Sequence, residues 1–147
     1  MLQFRSSTAD DTARIMEIWR TAVDATHHFL TPDDRAAIEA ELYDFFPQVT
    51  LTLALASGEN IIGFMLLHQG HLEALFVDAN YHGKGVGRAL VSAALEQYPQ
   101  LTTDVNEQNE QAVVFYQRLG FVRTGRAERD GQGRAYPLIH LRFVHHQ

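Results

Sequence analysis

Cysteine is absent from the 147 residues, which removes disulfides, thiolate metal sites and a cysteine nucleophile together. Any acyl transfer by this chain must therefore proceed without a cysteinyl acyl-enzyme. Positive charge is also scarce: 12 Lys and Arg stand against 18 Asp and Glu, a formal net charge of -6. The basic footprint that a phosphate backbone demands is missing, so nucleic acid is excluded as an expected partner. No apolar run approaches the roughly 18 residues of a membrane span, and Met1 to Asp11 lacks the charged-then-apolar pattern of a secretion signal. A soluble, cytoplasmic protein with no membrane partner is expected. Repeats, linkers and low-complexity tracts are missing too, so residues 1–147 are expected to form one domain.

Apolar residues make up 46% of the chain, enough to build a core at this length. Leu2 to Ser6 reads as a short strand. A helix follows from Ala9–Asp11, with Ile15, Ile18, Trp19, Ala22 and Val23 recurring on one face. Ala25 to Leu30 interrupts it, and Thr31-Pro32-Asp33-Asp34 supplies an N-cap, a first-turn proline and first-turn acid for a second helix ending at Pro47. Its apolar residues Ile38, Leu42, Phe45 and Phe46 stand at helical spacing.

From Thr50 the period becomes two: Leu51–Leu55, a Ser57–Asn60 turn, Ile61–His68, a Gln69-Gly70 turn and His71–Asp78 are strands and their connections. Leu75-Phe76-Val77 is apolar on both faces, which places the last of these strands centrally in a sheet. A helix with Val86, Leu90, Val91, Ala94 and Leu95 on one side comes next. A strand at Leu101–Val105, a helix at Asn109–Leu119 stopped by Gly120, and strands Phe121–Arg129 and Ala135–Val144 joined by Asp130–Gly133 complete the chain.

Between the central strand and the third helix lies His82-Gly83-Lys84-Gly85-Val86-Gly87-Arg88. Unpaired amides at a helix start make an anion site, and glycine lets a phosphate come close to the backbone. A dinucleotide fingerprint needs G-x-G-x-x-G, but Arg88 stands three residues after Gly85 and Leu90 three after Gly87. A nucleoside-triphosphate loop needs G-K followed by Ser or Thr, and here Gly85 follows Gly83-Lys84. Both alternatives fail on spacing.

The turn resembles instead the pyrophosphate loop Q/R-x-x-G-x-G/A of the GNAT family of N-acetyltransferases, with His82 in place of Gln or Arg, then Gly85 and Gly87. A second stretch, Asn109-x-x-Ala112-x-x-x-Tyr116-x-x-x-Gly120-Phe121, is similar to that family's N-x-x-A-x-x-x-Y-x-x-x-G-F along its whole length. The order of elements from Leu2 to Val144 is also the family's. The resemblance implies an α/β fold in which a mixed, mostly antiparallel sheet is flanked by helices, with one parallel pair at a splayed gap. It implies acetyl-CoA as co-substrate, held by the backbone of Leu75, Phe76 and Val77, by the turn from His82 through Gly83, Lys84, Gly85, Val86 and Gly87 to Arg88, and by Asn109 and Tyr116. Tyr116 stands where the family's usual general acid stands, able to protonate the departing sulfur.

An amine attacks a thioester only when neutral. For lysine, deprotonation costs about 4.6 kcal/mol at pH 7; for an α-amine it costs about 1 kcal/mol. A lysine-like acceptor therefore calls for a base on the central strand, where alternation would put His71, Glu73, Leu75 and Val77 on one face. His71 is preferred because an imidazole's ordinary pKa leaves a neutral fraction at pH 7, and Glu73 is the rival.

The acceptor, a small-molecule, peptide or protein amine, is expected to be shaped by Ala25–Leu30, the second helix and the last hairpin. His27 and His28 suit either a pocket wall or an exposed loop, and His145 and His146 read as tail. No H-x-x-x-H pair exists, so no metal is expected. Direct transfer within a ternary complex is the simpler mechanism, in a monomer or homodimer. A catalytically silent acetyl-CoA sensor of the same fold is the alternative.

Overall fold

A computed structural model describes residues 2–144, so His145 and His146 lie outside the described residues. Seven strands form one sheet: β1 (Gln3–Ser6), β2 (Thr52–Leu55), β3 (Ile61–His68), β4 (His71–Val77), β5 (Thr102–Asn106), β6 (Phe121–Ala127) and β7 (Leu138–Phe143). Their order is β1-β2-β3-β4-β5-β7-β6, and every neighbouring pair is antiparallel except β4 with β5. A parallel pair needs a crossover, which α3 (Val86–Gln97) provides. The other helices are α1 (Thr12–Thr26), α2 (Pro32–Phe45) and α4 (Glu110–Leu119). This is the mixed, mostly antiparallel α/β architecture expected.

Each face of the sheet carries its own core. The stripe Ile15, Ile18, Trp19 and Val23 of α1 packs on Leu51, Leu53 and Phe64, while Val86, Leu90, Val91 and Ala94 of α3 pack with Ile62, Met65 and Leu72 on the opposite face. Asp78, just past β4, is buried and bonded by the Arg14 guanidinium of α1 at 2.8 Å. Burial alone would raise its carboxyl, but the Asn80 amide and Arg14 outweigh that and hold it below the usual carboxylate value. The pair fixes the end of β4 where the glycine turn begins.

Three features add to or depart from the sequence reading. A 3-10 turn at Ala9–Asp11 precedes α1. None of the residues of α2 is fully buried: Ile38, Leu42 and Phe45 line a cleft, and only Phe46, in the turn after the helix, enters the core. The last two strands are shorter than expected, leaving residues 128–137 as a loop. Asp130 folds that loop by accepting bonds from the Gln132 and Arg134 amides, and Arg134 and Tyr136 then reach across to Glu41 and Asp34 of α2.

A fourth departure concerns β4. Leu66 faces Ala74 but Leu67 faces Leu72, so Glu73 is an extra residue with no partner on β3. Leu72, Leu75 and Val77 consequently all pack toward α3, and Phe76 packs toward α1. The expected alternation of His71, Glu73, Leu75 and Val77 on one face is therefore incorrect: the bulge puts His71 on the face opposite Leu75.

Candidate active site

β4 and β5 pair only at His71 with Thr102 and Leu72 with Thr103. Beyond those residues β4 keeps β3 on one side and loses β5 on the other, so its edge presents unpaired backbone groups to a gap. Three clefts converge there. One, about 350 Å³, runs from the gap to the glycine turn; a second, about 360 Å³, lies between the parting strands; the third, about 850 Å³, opens on the α1–α2 face.

The glycine turn ends at Gly85, whose φ of 82° makes it a left-handed cap for α3 with no side-chain capping bond. The first α3 bond runs from Ala89 to Gly85, so the amides of Val86, Gly87 and Arg88 have no helical acceptor. A Cβ on Gly85 would meet nothing within 4 Å, whereas one on Gly87 would meet the Phe115 ring at 3.3 Å. Open space above donor amides fits a pyrophosphate.

His82 turns its imidazole onto the Val77 carbonyl at 2.9 Å, tying the turn to the end of β4. Leu75, Phe76, Val77, His82, Gly83, Gly85, Val86, Gly87, Arg88, Asn109 and Tyr116 all line this cleft. Lys84 does not; its ammonium lies 5.9 Å above the Tyr81 ring. Asn109 caps α4 by accepting from the Ala112 amide at 3.3 Å, and it borders both the turn cleft and the gap.

Tyr116 is buried, packed edge-on between Phe115 and Phe121 at 5.0 and 5.2 Å, and borders the same two clefts. Burial raises its phenol far above the ordinary value, the Thr103 hydroxyl opposing only in part. The group is neutral and available as a donor at every working pH.

His71 borders the gap but not the large cleft. Its Nδ1 lies 2.7 Å from Thr102 Oγ1 and its Nε2 lies 3.4 Å from Asp104, whose other oxygen is 2.6 Å from His140 Nδ1. Both ring nitrogens thus have a protein group beside them, Thr102 at Nδ1 and Asp104 at Nε2. Glu73, by contrast, forms no hydrogen bond or ion pair among the described residues, and it borders both the gap and the large cleft. The bulge is what places it there.

His27 and His28 separate. His28 is exposed, while His27 borders all three clefts and stacks near Phe29 and Phe76. Burial, aided by the charge of His28, lowers the His27 pKa to about 4, so it is neutral at pH 7. Thr26 Oγ1 donates to the Ala22 carbonyl and so receives the His27 Nδ1 proton at 2.7 Å, leaving Nε2 as an acceptor. Among the described residues, no group of three or more histidines and carboxylates is arranged to hold a metal.

The large cleft is walled by the segments expected to shape an acceptor pocket: His27 and Leu30, then Leu42 and Phe45 of α2, then Asp130 and Tyr136. Tyr136 and Arg134 bind the last loop to α2, the phenol donating to Asp34 at 2.5 Å and Arg134 to Glu41 at 2.9 Å. Neither partnership had a local signal in sequence, since about 100 residues separate the donors from the acceptors. Glu41, Glu73 and Asp130 border the cleft; Glu41 is paired with Arg134, while Glu73 and Asp130 have no ion-pair partner among the described residues. The opening favours a cation, and its apolar floor of Leu42, Phe45, Leu66 and Phe76 suits an alkyl chain.

Residues 20–137 match the family model described as Acetyltransferase (GNAT) domain. The chain is 45% identical over 141 residues to the peptidyl-lysine N-acetyltransferase YjaB of Salmonella typhimurium, covering 96% of this chain and 97% of that protein. It superposes on the solution structure of apo-form YjaB from Escherichia coli with a TM-score of 0.95 at 44% identity, covering 99% of each chain. A PaiA N-acetyltransferase of Thermoplasma acidophilum, solved in complex with coenzyme A, shares the fold with a TM-score of 0.78 at 17% identity, covering 99% of each chain.

Proposed function

We propose, from the premise that this chain belongs to the GNAT acetyltransferase family, that it takes acetyl-CoA as donor and the side-chain amine of a protein lysine as acceptor. That it is an N-acetyltransferase, moving an acetyl group to an amine, follows from the family and from its relatives. The lysine reading is carried by one observation: the unpaired β4 edge joins a pyrophosphate-sized turn to an acid-rimmed, apolar-floored cleft, with Glu73 at the junction. The name of the 45% identical relative agrees with it.

In this reading the amides of Val86, Gly87 and Arg88 hold the pyrophosphate, and the free edge of β4 pairs with the pantetheine arm. Acetyl-CoA supplies the thioester carbon that the amine attacks. Glu73 and Asp130 draw the lysine ammonium into the cleft, and its stem lies on Phe45 and Phe76. Glu73 accepts the ammonium proton, directly or through one water, and passes it to solvent. His27 Nε2 accepts a hydrogen bond at the junction without taking up a proton. Tyr116 gives its hydrogen bond, and finally its proton, to the departing sulfur. His71 is a structural clasp that helps hold the short β4–β5 ladder together next to the gap. No feature of the site favours a silent sensor.

CoA release in step with acetylation of a lysine peptide tests this reading, and initial-rate plots against both substrates should intersect. Parallel plots would contradict direct transfer, and turnover confined to α-amines or polyamines would contradict the lysine acceptor.

The donor site has its own test. Gly85 and Gly58 share a left-handed φ, 82° and 75°, and in both cases a Cβ would meet open space. Gly85→Val and Gly58→Val should therefore lose similar stability, about 1–2 kcal/mol of backbone strain. Only Gly85→Val should also lose acetyl-CoA affinity, by at least about tenfold or 1.4 kcal/mol. Equal calorimetric affinities in the two folded variants would remove the pyrophosphate from this turn.

A further inference from the structure

Of the 12 basic residues in the chain, 11 are arginine and one, Lys84, is lysine. Lysine is ordinarily among the commonest residues, and it is the side chain that acetylation modifies. The single copy sits within the glycine turn. It is exposed, flanked by Gly83 and Gly85 at φ 76° and 82°, and its ammonium lies 5.9 Å from the ring of Tyr81, a residue at the border of the turn cleft. No neighbouring side chain in Gly83-Lys84-Gly85 obstructs its approach to a second molecule.

We propose that Lys84 is a self-acetylation site, modified by a second copy of the protein, and that the modification weakens capture of acetyl-CoA. This rests on the reading that the enzyme acetylates protein lysines. In the proposed reading the thioester would lie at the gap by Tyr116 and Glu73, and Lys84 borders neither that gap nor the turn cleft, which points to modification between molecules. When the cofactor's pyrophosphate lies on the turn, the pantetheine arm carries the thioester along β4 to that gap. A second copy meets no such limit. An exposed lysine on a glycine-flanked turn can enter the partner's cleft, where Glu73 and Asp130 attract its charge.

The chemistry is that of the ordinary reaction. The Lys84 nitrogen, having lost a proton, forms an amide with the acetyl carbon; the carbon–sulfur bond breaks, and the sulfur leaves with a proton as free CoA. The ammonium is replaced by a neutral amide. That removes a positive charge beside the amides that receive the pyrophosphate, in a chain whose net charge is already -6. An exposed charge acting at this range in salt is worth a few tenths of a kcal/mol to about 1 kcal/mol. The dissociation constant for acetyl-CoA should therefore rise about two- to fivefold. Acetylation thus becomes a brake that engages when acetyl-CoA and enzyme are both abundant.

The single lysine makes the test readable by intact mass. Wild-type protein and Lys84→Arg are each incubated with acetyl-CoA and a lysine peptide in the same tube. Wild type should gain one acetyl group, mapped to Lys84 by digestion, and Lys84→Arg should gain none while still acetylating the peptide. Glu73→Gln protein, offered as acceptor, should be modified quickly only when wild type is added, at a rate that rises with the amount added. Purified acetylated protein should bind acetyl-CoA two- to fivefold more weakly by calorimetry. Peptide acetylation without any mass change in the chain would overturn the proposal, as would an acetyl group on the Met1 amine instead. Modification of Glu73→Gln at one rate with and without wild type would make it plain chemical acetylation and overturn the enzymatic step. An unchanged affinity would overturn the brake. If the peptide itself stays unmodified, it is the lysine acceptor reading that fails.

Discussion

Glu73→Gln is expected to lower kcat toward a lysine peptide about 10²-fold at pH 7, while His71→Gln stays within about threefold of wild type. The first figure is the low end of what a positioned general base contributes, and it follows from where the β4 bulge sends the side chain. Glu73 has both oxygens free and faces the acceptor cleft as well as the gap. A carboxylate is ionised at neutral pH, and its modest basicity suits passing a proton on to water rather than keeping it. The amide of Gln fills the same volume without accepting that proton.

The pH profile separates this role from a structural one. Between pH 7 and pH 9 the neutral fraction of a lysine amine rises about 100-fold. A variant that depends on amine already deprotonated in solution gains most from that rise, so the Glu73→Gln defect should shrink as pH increases. His71→Gln should instead show its effect in stability, about 1 kcal/mol for its bonds to Thr102 and Asp104. A pH-rescued defect in His71→Gln alongside a near-normal Glu73→Gln would return the base to His71. Unchanged profiles in both variants would mean a water chain or a low-pKa acceptor.

The preference for His71 that the sequence suggests has a specific physical origin. A free imidazole is the better base at pH 7, and nothing between Gly70 and Asp78 reveals that its ring is engaged. Thr102, Asp104 and His140 lie about 30 to 70 residues further along and reach it only through β5 and β7. The bulge is equally hidden. Register belongs to a pair of strands, and a strict period of two in His71–Val77 gives no sign that Leu67 meets Leu72 while Leu66 meets Ala74.

What was legible is what neighbours in sequence decide. The stripe of α1 is buried as its spacing requires, β3 begins and ends at its expected residues, and Gly120 caps α4 at φ 114°. The glycine turn also follows from adjacent residues, because cap, helix start and amide supply are local. In α2 the period is present but does not mark a core. Leu42 and Phe45 stay partly open because they form the floor of a cleft, so apolar residues at helical spacing serve a site here rather than a core. The loop at residues 128–137 escaped for the converse reason. Its ordering comes from Asp34 and Glu41 on α2, with no hydrophobic period to announce it.

Tyr116→Phe is expected to lower kcat about 10²-fold with acetyl-CoA affinity and stability almost unchanged. The ring is what packs: its edge-on contacts with Phe115 and Phe121 survive in phenylalanine, so the loss is confined to one hydroxyl. Burial holds that hydroxyl neutral, its pKa well above that of a free phenol. A phenol so raised gives up its proton reluctantly, and a thiol of ordinary pKa ~8.5 lies below it, so complete transfer is uphill. Its contribution is therefore a hydrogen bond that tightens as negative charge gathers on sulfur, with the proton following late. Such an interaction is made in the transition state and not in the ground state, which lowers kcat and kcat/KM together and leaves binding alone. It also predicts a pH dependence opposite in cause to that of Glu73. Above pH ~8.5 a thiolate is stable in water without protonation, so the need for the donor falls and the Tyr116→Phe defect should narrow there even when the acceptor is an α-amine already neutral at pH 8.5. A Glu73→Gln defect measured with that same acceptor should be small throughout. Single-turnover rates for the two variants against lysine and α-amine peptides read the two roles apart. If Tyr116→Phe turns over within threefold of wild type on both acceptors, Tyr116 serves packing only, and the sulfur takes its proton from water in the gap.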